Sequence, residues 1–144
     1  QIRLASGGRL EYSFEDIDLN GWAIECRINA ENPDFNFAPS PGVIKKYVAP
    51  SGAGVRLDTH LYEGYELPIY YDSLVAKLIA HDKTRADAIR VLKKALQEFT
   101  IQPIKTTIPL YLTIVDDPGF QKGDIHTGYI KKFVPDEHDD DDED

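Results

Sequence analysis

The sequence predicts an α+β module, antiparallel and strand-rich, with a few helices packed on it. Three observations carry this expectation. Residues 22–29 and 55–62 alternate apolar and polar side chains, the period of a half-buried strand. Residues 84–99 instead place Ile89, Leu92, Leu96 and Phe99 at intervals of three and four, which aligns them on one helix face. Strand patterns come first and helical ones after them, an order that favours α+β over a doubly wound parallel sheet.

Residues 1–6 followed by Gly7-Gly8 read as the last turn of a helix with glycine at its C-terminal cap, and the chain contains no Met. The expectation is therefore a piece of a longer chain, with 1–18 as the end of an upstream helix and a lead-in. Within it, Leu10, Tyr12 and Phe14 predict a short extended run. Residues 19–134 form the body of the domain. On the strand 22–29, Trp22, Ile24, Cys26 and Ile28 share an apolar face, and Ala23, Glu25, Arg27 and Asn29 the other. Glu31-Asn32-Pro33 ends this strand, and the stretch to Gly42, rich in Pro, Asn and Ser, reads as loop. Residues 43–48 predict a second strand and 50–54 a turn. In 55–62, Val55, Leu57, Thr59 and Leu61 then alternate with Arg56, Asp58, His60 and Tyr62. Strand, turn and strand predict a hairpin.

Residues 74–80 fit a helix face through Leu74, Val75, Leu78 and Ile79, or a strand face through Leu74, Ala76, Leu78 and Ala80. Their short length favours the strand. Thr84 with Asp87 resembles a capping box at the start of the main helix. Residues 101–104 are expected to be extended around Pro103, and Thr106 or Thr107 to cap a second helix running to about Val115. Asp117-Pro118-Gly119 ends that helix. Residues 123–128 read as irregular and 129–134 as a short closing element. Residues 135–144 are a charge run with too little apolar surface to order itself, read as a solubilising disordered tail rather than a docking segment.

Composition narrows the function. Of the formal net charge of −9, eight acidic residues lie in 136–144, so the rest of the chain is close to neutral. That leaves no basic patch of the kind a nucleic-acid binder needs. No apolar run reaches the ~18 residues of a membrane helix. A single Cys excludes an internal disulfide framework, and the four His lack close metal-ligand spacing. The expectation is a soluble module of a reducing, cytoplasmic compartment with no metal site. There is no glycine-rich phosphate loop followed by Lys and Ser/Thr, no dinucleotide-binding glycine pattern and no nucleophile elbow. A complete catalytic constellation is not visible.

The runs GWAIECRINAENP at 21–33, PSPGVIKKY at 39–47, GVRLDTHLYEGY at 54–65, Tyr70-Tyr71-Asp72-Ser73 with Lys77-Leu78 after it, and Ile104-Lys105-Thr106 are the informative ones. In this order and spacing they resemble the C-terminal domain of biotin carboxylase, the ATP-dependent component of acetyl-CoA, pyruvate and related carboxylases. The resemblance covers residues 1–133. It implies a reaction in which ATP and bicarbonate give carboxyphosphate, whose CO2 passes to N1 of biotin held on a carrier. Biotin is then a substrate, presented by a carrier protein or domain. ATP and Mg belong to an upstream ATP-grasp domain whose motifs are not in this sequence, and the fragment alone is expected to be inactive. A homodimer is a further implied partner; nucleic acid and membrane are not.

Arg27 matches the family arginine that contacts bicarbonate and the ureido oxygen of biotin. The chemistry is direct: removal of the N1 proton drives negative charge onto that oxygen, and a guanidinium stays protonated while offering a planar fork of donors. Its bland alternative is an ion pair with Glu25 on a solvated face. Asp72 resembles an edge of the biotin site, where it orients basic groups, or else closes a turn. Tyr70 and Tyr71 read as packing residues with a wet hydroxyl. Arg56 matches a position at the family's dimer contact, and Ala53 stands where other members place a large aromatic, which removes an interface anchor. Cys26 reads as inert core, His126 as a local hydrogen-bonding group, and Lys45-Lys46 as surface. Two rival readings are a binding or dimerisation module without catalysis and the terminal domain of another ATP-grasp ligase.

Overall fold

Residues 1–134 are described by the structure, a computed structural model; the acidic tail lies outside the described residues. In chain order, α1 (Ile2–Ala5) precedes β1 (Trp22–Asn29), β2 (Glu31–Asn32), β3 (Ala38–Pro39), β4 (Gly42–Val43) and β5 (Lys46–Val48). Next come β6 (Val55–Thr59), β7 (Glu66–Leu67), β8 (Leu74–Asp82), α2 (Arg85–Glu98), β9 (Thr100–Gln102), α3 (Ile108–Asp116) and α4 (Pro118–Lys122). Single 3-10 turns occupy Phe14–Asp16, Pro33–Phe35 and Tyr129–Phe133. The domain is α+β with antiparallel pairing throughout, as the sequence predicts.

The central sheet runs β1-β8-β6. Its register lines up Ile24–Ala80–Val55, Cys26–Leu78–Leu57 and Ile28–Ala76–Thr59 as three rows. By strand alternation these rows share one face, and α2 packs on the sheet with Ala88, Ile89, Leu92, Ala95 and Leu96 buried. Ile28, Leu78 and Leu92 are fully buried. Each such side chain stabilises the fold by about 1.5–3 kcal/mol relative to exposure. The helix starts where the sequence places it: Thr84 Oγ1 accepts the Asp87 amide at 3.1 Å and donates to the Asp87 carboxylate at 2.7 Å.

The predicted hairpin does not form. Residues 43–48 are not one strand: β4 pairs with β7 and β5 with β9, while β6 pairs with β8. The break falls at Ile44, which is buried and turns its amide to the Tyr65 carbonyl, before Lys45 turns its own to Gln102. β6 adds to β8 because that is where Val55 and Leu57 reach the core. Gly54 makes this docking possible. Its φ is +75°, and a Cβ there would lie 2.2 Å from the His81 carbonyl oxygen.

Other departures are local. The stretch read as a strand end and loop, 31–42, contains the β2–β3 pair, closed through the 3-10 turn at Pro33–Phe35. Residues 10–14 join no ladder, and Phe14 enters a 3-10 turn with its ring exposed. Trp22, on the apolar side of β1, is 54% exposed because it opposes Asp82 at the sheet's end, outside the buried rows. Asp117-Pro118-Gly119 ends α3 and also starts α4, with the Asp117 carboxylate accepting the Gly119 and Phe120 amides.

Asp117 also ties down the closing segment, accepting from Lys132 Nζ and from the Tyr129 hydroxyl. These two groups, Lys132 first, hold its carboxyl far below the usual carboxylate range. A depressed folded-state pKa stabilises the fold fully above the unfolded value of ~3.9 and loses that contribution as pH falls below it. Asp117→Asn is therefore expected to flatten the loss of stability between pH ~4 and ~2, read by denaturant titrations across that range. An unchanged slope would remove Asp117 from the acid response.

Candidate functional site

The other face of the central sheet is open and charged. By register and alternation it carries Glu25 and Arg27 from β1, Lys77 and Ile79 from β8, and Arg56 and Asp58 from β6. Arg27, Glu25, Arg56 and Asp58 are exposed, and Lys77 and Ile79 are half-buried. Arg27 stands opposite Lys77, which stands opposite Asp58; Glu25 stands opposite Ile79, and that opposite Arg56.

The ion pair expected as the bland use of Arg27 is absent. Among the described residues the Arg27 guanidinium has no carboxylate within 4.0 Å, Glu25 included. Its fork of donors faces solvent with its charge uncommitted. Arg56 behaves in the opposite way: Nε and Nη2 grip both oxygens of Asp58 at 2.9 and 2.8 Å. That pair raises the Arg56 pKa and lowers the Asp58 carboxyl. A partner at Arg56 has to compete with its own strand neighbour.

What aims Arg27 is its backbone. β1 is an edge strand, so alternate amides and carbonyls along it point away from β8. The Tyr111 hydroxyl donates to the Arg27 carbonyl at 2.9 Å, and Thr107 Oγ1 reaches the same oxygen at 3.4 Å. Thr107 also accepts the Asn29 amide at 3.0 Å and donates its own amide to the Asn29 carbonyl at 3.1 Å. The first turn of α3 thus acts as a third side to the strand, beside the register shift between Ile28 and Asn29. Burial is the main cause that raises the Tyr111 pKa, while the nearby Arg27 charge lowers it.

Neither Thr107 nor Tyr111 stood out in the sequence as a site residue. Thr107 read as a helix cap, but its hydroxyl serves Asn29 instead of α3. The one available signal was their four-residue spacing, which puts both on one face of a helix. Thr107→Val strands the Asn29 amide and is expected to cost about 1–3 kcal/mol. Tyr111→Phe leaves the Arg27 carbonyl its Thr107 contact and is expected to cost about 0.5–1.5 kcal/mol. Urea midpoints of the two variants check the order; an equal or reversed effect would refute the edge-clamp account.

Asp72 is exposed, and its Oδ1 accepts the Leu74 amide at 3.3 Å and the Ser73 hydroxyl at 3.4 Å, as a turn-closing Asp does. Ser73 Oγ also donates to Glu31, whose Oε1 takes Asn29 Nδ2 at 3.2 Å. The Asp72 turn is thereby tied to the end of β1 that carries Arg27. Tyr70 and Tyr71 do not pack: they are 86% and 81% exposed, because the turn before β8 projects them away from the core. Cys26 is buried core, its thiol pushed up to about 12 by burial first and the Glu25 charge second. His126 Nδ1 accepts the Gly128 amide, the local role expected of it, and Lys45 and Lys46 are exposed.

A cavity of about 790 Å³ lies between β9, the start of α3 and the closing segment. Arg27 is not in its lining. The sheet face is the better candidate, since it presents Arg27 with no carboxylate within 4.0 Å among the described residues. Among the described residues no three His, Cys, Asp or Glu side chains cluster as a metal site.

Fold and site together define a class, an α+β domain that presents an unpaired arginine from an open antiparallel sheet. A family model for the biotin carboxylase C-terminal domain matches residues 25–132, and the chain belongs to that family. Biotin carboxylase 1 of Bacillus subtilis is 50% identical over 133 residues, covering 92% of this chain and 30% of the relative. The biotin carboxylase of Haemophilus influenzae is 48% identical over 132 residues, 92% of this chain and 29% of its own length. The solved biotin carboxylase domain of a thermophilic 2-oxoglutarate carboxylase bound to bicarbonate is 46% identical with a TM-score of 0.87. That match covers 91% of this chain and 30% of the other. The chain thus spans about 30% of the length of such relatives.

Proposed function

We propose that this chain is the C-terminal part of an ATP-dependent biotin carboxylase and that Arg27 supplies one wall of the site where bicarbonate meets carrier-bound biotin. The observation that carries the reading is the unpaired guanidinium on the open sheet face, on a backbone fixed by Thr107 and Tyr111. Two parallel N–H donors suit a bicarbonate oxyanion, and the same fork suits a ureido oxygen that gains charge as N1 loses its proton. A permanent charge at this position lowers the energy of that anionic state more than of neutral biotin, which is what a catalytic contact must do. ATP supplies the phosphoryl group that activates bicarbonate; the residues for that step belong to an upstream ATP-grasp domain, and 1–18 is the lead-in from it. The chain alone is expected to be inactive.

One solved relative is described as a biotin carboxylase domain dimer. A dimer contact through Arg56 fits that description, on the condition that the partner displaces or joins Asp58. Asp72 acts on this reading through the turn it closes. The test is carboxylation of free biotin by the intact enzyme carrying Arg27→Ala. Unchanged kcat and unchanged KM for bicarbonate would overturn the reading and favour a domain used for assembly only.

A further inference from the structure

We infer that Lys77 is the second cation of the anion site at Arg27, an inference that rests on the function proposed above and adds a residue to it. The geometry follows from which backbone groups point where. Arg27 turns its carbonyl outward to Tyr111 and Thr107, so it and Lys77 face each other as a pair without mutual backbone hydrogen bonds. Such pairs are the close ones, with Cα atoms ~4.5 Å apart and side chains on the same face. Lys77 shares its backbone orientation with His81, whose amide bonds Gly54 on the β6 side, so Lys77 and Asp58 form the wider type of pair, ~5.5 Å. The ammonium group of Lys77 therefore stems from a backbone nearer to Arg27 than to Asp58.

Two like charges directly opposed on neighbouring strands destabilise a sheet. The neighbouring carboxylates relieve this only in part: Asp58 feels the Lys77 charge across the strands but is gripped by Arg56 through both oxygens, and neither Arg27 nor Lys77 has a carboxylate within 4.0 Å among the described residues. Glu25 sits one row along β1, opposite Ile79, and pairs with neither. An anion that approaches Arg27 removes the repulsion and gains a second charge. The ligand class is a small oxyanion carrying a carboxylate-like group, with bicarbonate as the one supplied by the proposed reaction. Lys77 is half-buried, as a lysine is that lays its stem along apolar surface and keeps its head in water.

The experiment measures KM for bicarbonate and kcat of the intact enzyme for Lys77→Gln, Lys77→Arg and Arg27→Ala, with melting temperatures for each. Lys77→Gln is expected to raise KM for bicarbonate about tenfold with a smaller change in kcat, as for one charge beside a partly solvated anion. Its KM is also expected to depend less on ionic strength than that of the parent. Lys77→Arg is expected to restore KM to within about twofold, since the charge returns. If Lys77→Gln leaves KM and its salt dependence unchanged while Arg27→Ala removes activity, Lys77 has no part in the site and the reading of Arg27 stands. If Lys77→Gln lowers the melting temperature with KM intact, the residue serves the fold and the inference fails. An Arg27→Ala enzyme with full activity overturns the function itself.

Discussion

Arg27→Ala in the intact enzyme is expected to lower carboxylation of biotin by about 10²–10³-fold, the usual effect of removing one donor aimed at a developing oxyanion. The melting temperature is expected to stay close to that of the parent. Arg27 is exposed and makes no ion pair, and surface substitutions of this kind stay within about 0.5 kcal/mol. The separation of a large kinetic effect from a small stability effect is the diagnostic result. Arg27→Lys keeps the charge and loses the planar fork, so it is expected to fall between parent and alanine. Steady-state kinetics with free biotin and bicarbonate, beside thermal denaturation, check all three values. If alanine unfolded the domain, Arg27 would be a structural residue of β1; if it left kcat and KM alone, the site would lie elsewhere.

Leu78→Ala should give the largest stability loss, about 2–5 kcal/mol. Leu78 is fully buried in the middle strand, between Cys26 and Leu57 in register, beneath α2. A cavity at this point is bounded by three strands and a helix, which limits how far the surroundings can collapse into it. Against a total stability of about 5–15 kcal/mol, such a loss brings the domain near its unfolding threshold. Leu57→Ala, at a half-buried position on β6, is expected to cost less. Urea titrations with unchanged m-values check both. A loss below ~1 kcal/mol at Leu78 would mean that the packing of β8 against α2 does not dominate stability.

Much of the scaffold was legible from local pattern. β1 runs over Trp22–Asn29, the same residues that alternate in sequence, and Thr84 caps α2 as the Thr-Asp spacing implies. The choice of strand over helix for β8 also holds, over Leu74–Asp82. The hairpin was illegible because Val55 and Leu57 specify an apolar face without specifying which strand lies beside it. Tyr70 and Tyr71 misled for a related reason: an aromatic residue in a turn carries no local sign of whether the turn points inward.

The candidate site divides along the same line. Sequence alone placed Arg27 on the polar face of a strand, beside a carboxylate close enough in the chain to neutralise it, and the family motif gave it a task. Tertiary structure decided the rest. Tyr111 reaches the Arg27 carbonyl from 84 residues away in the chain, Lys77 comes to stand opposite it by strand register, and Asp58, opposite Lys77 in turn, is gripped by Arg56. Side-chain periodicity is a property of neighbouring residues and is written in the chain. Pairing register and charge compensation are properties of distant ones, set only when the core chooses which strands share a sheet.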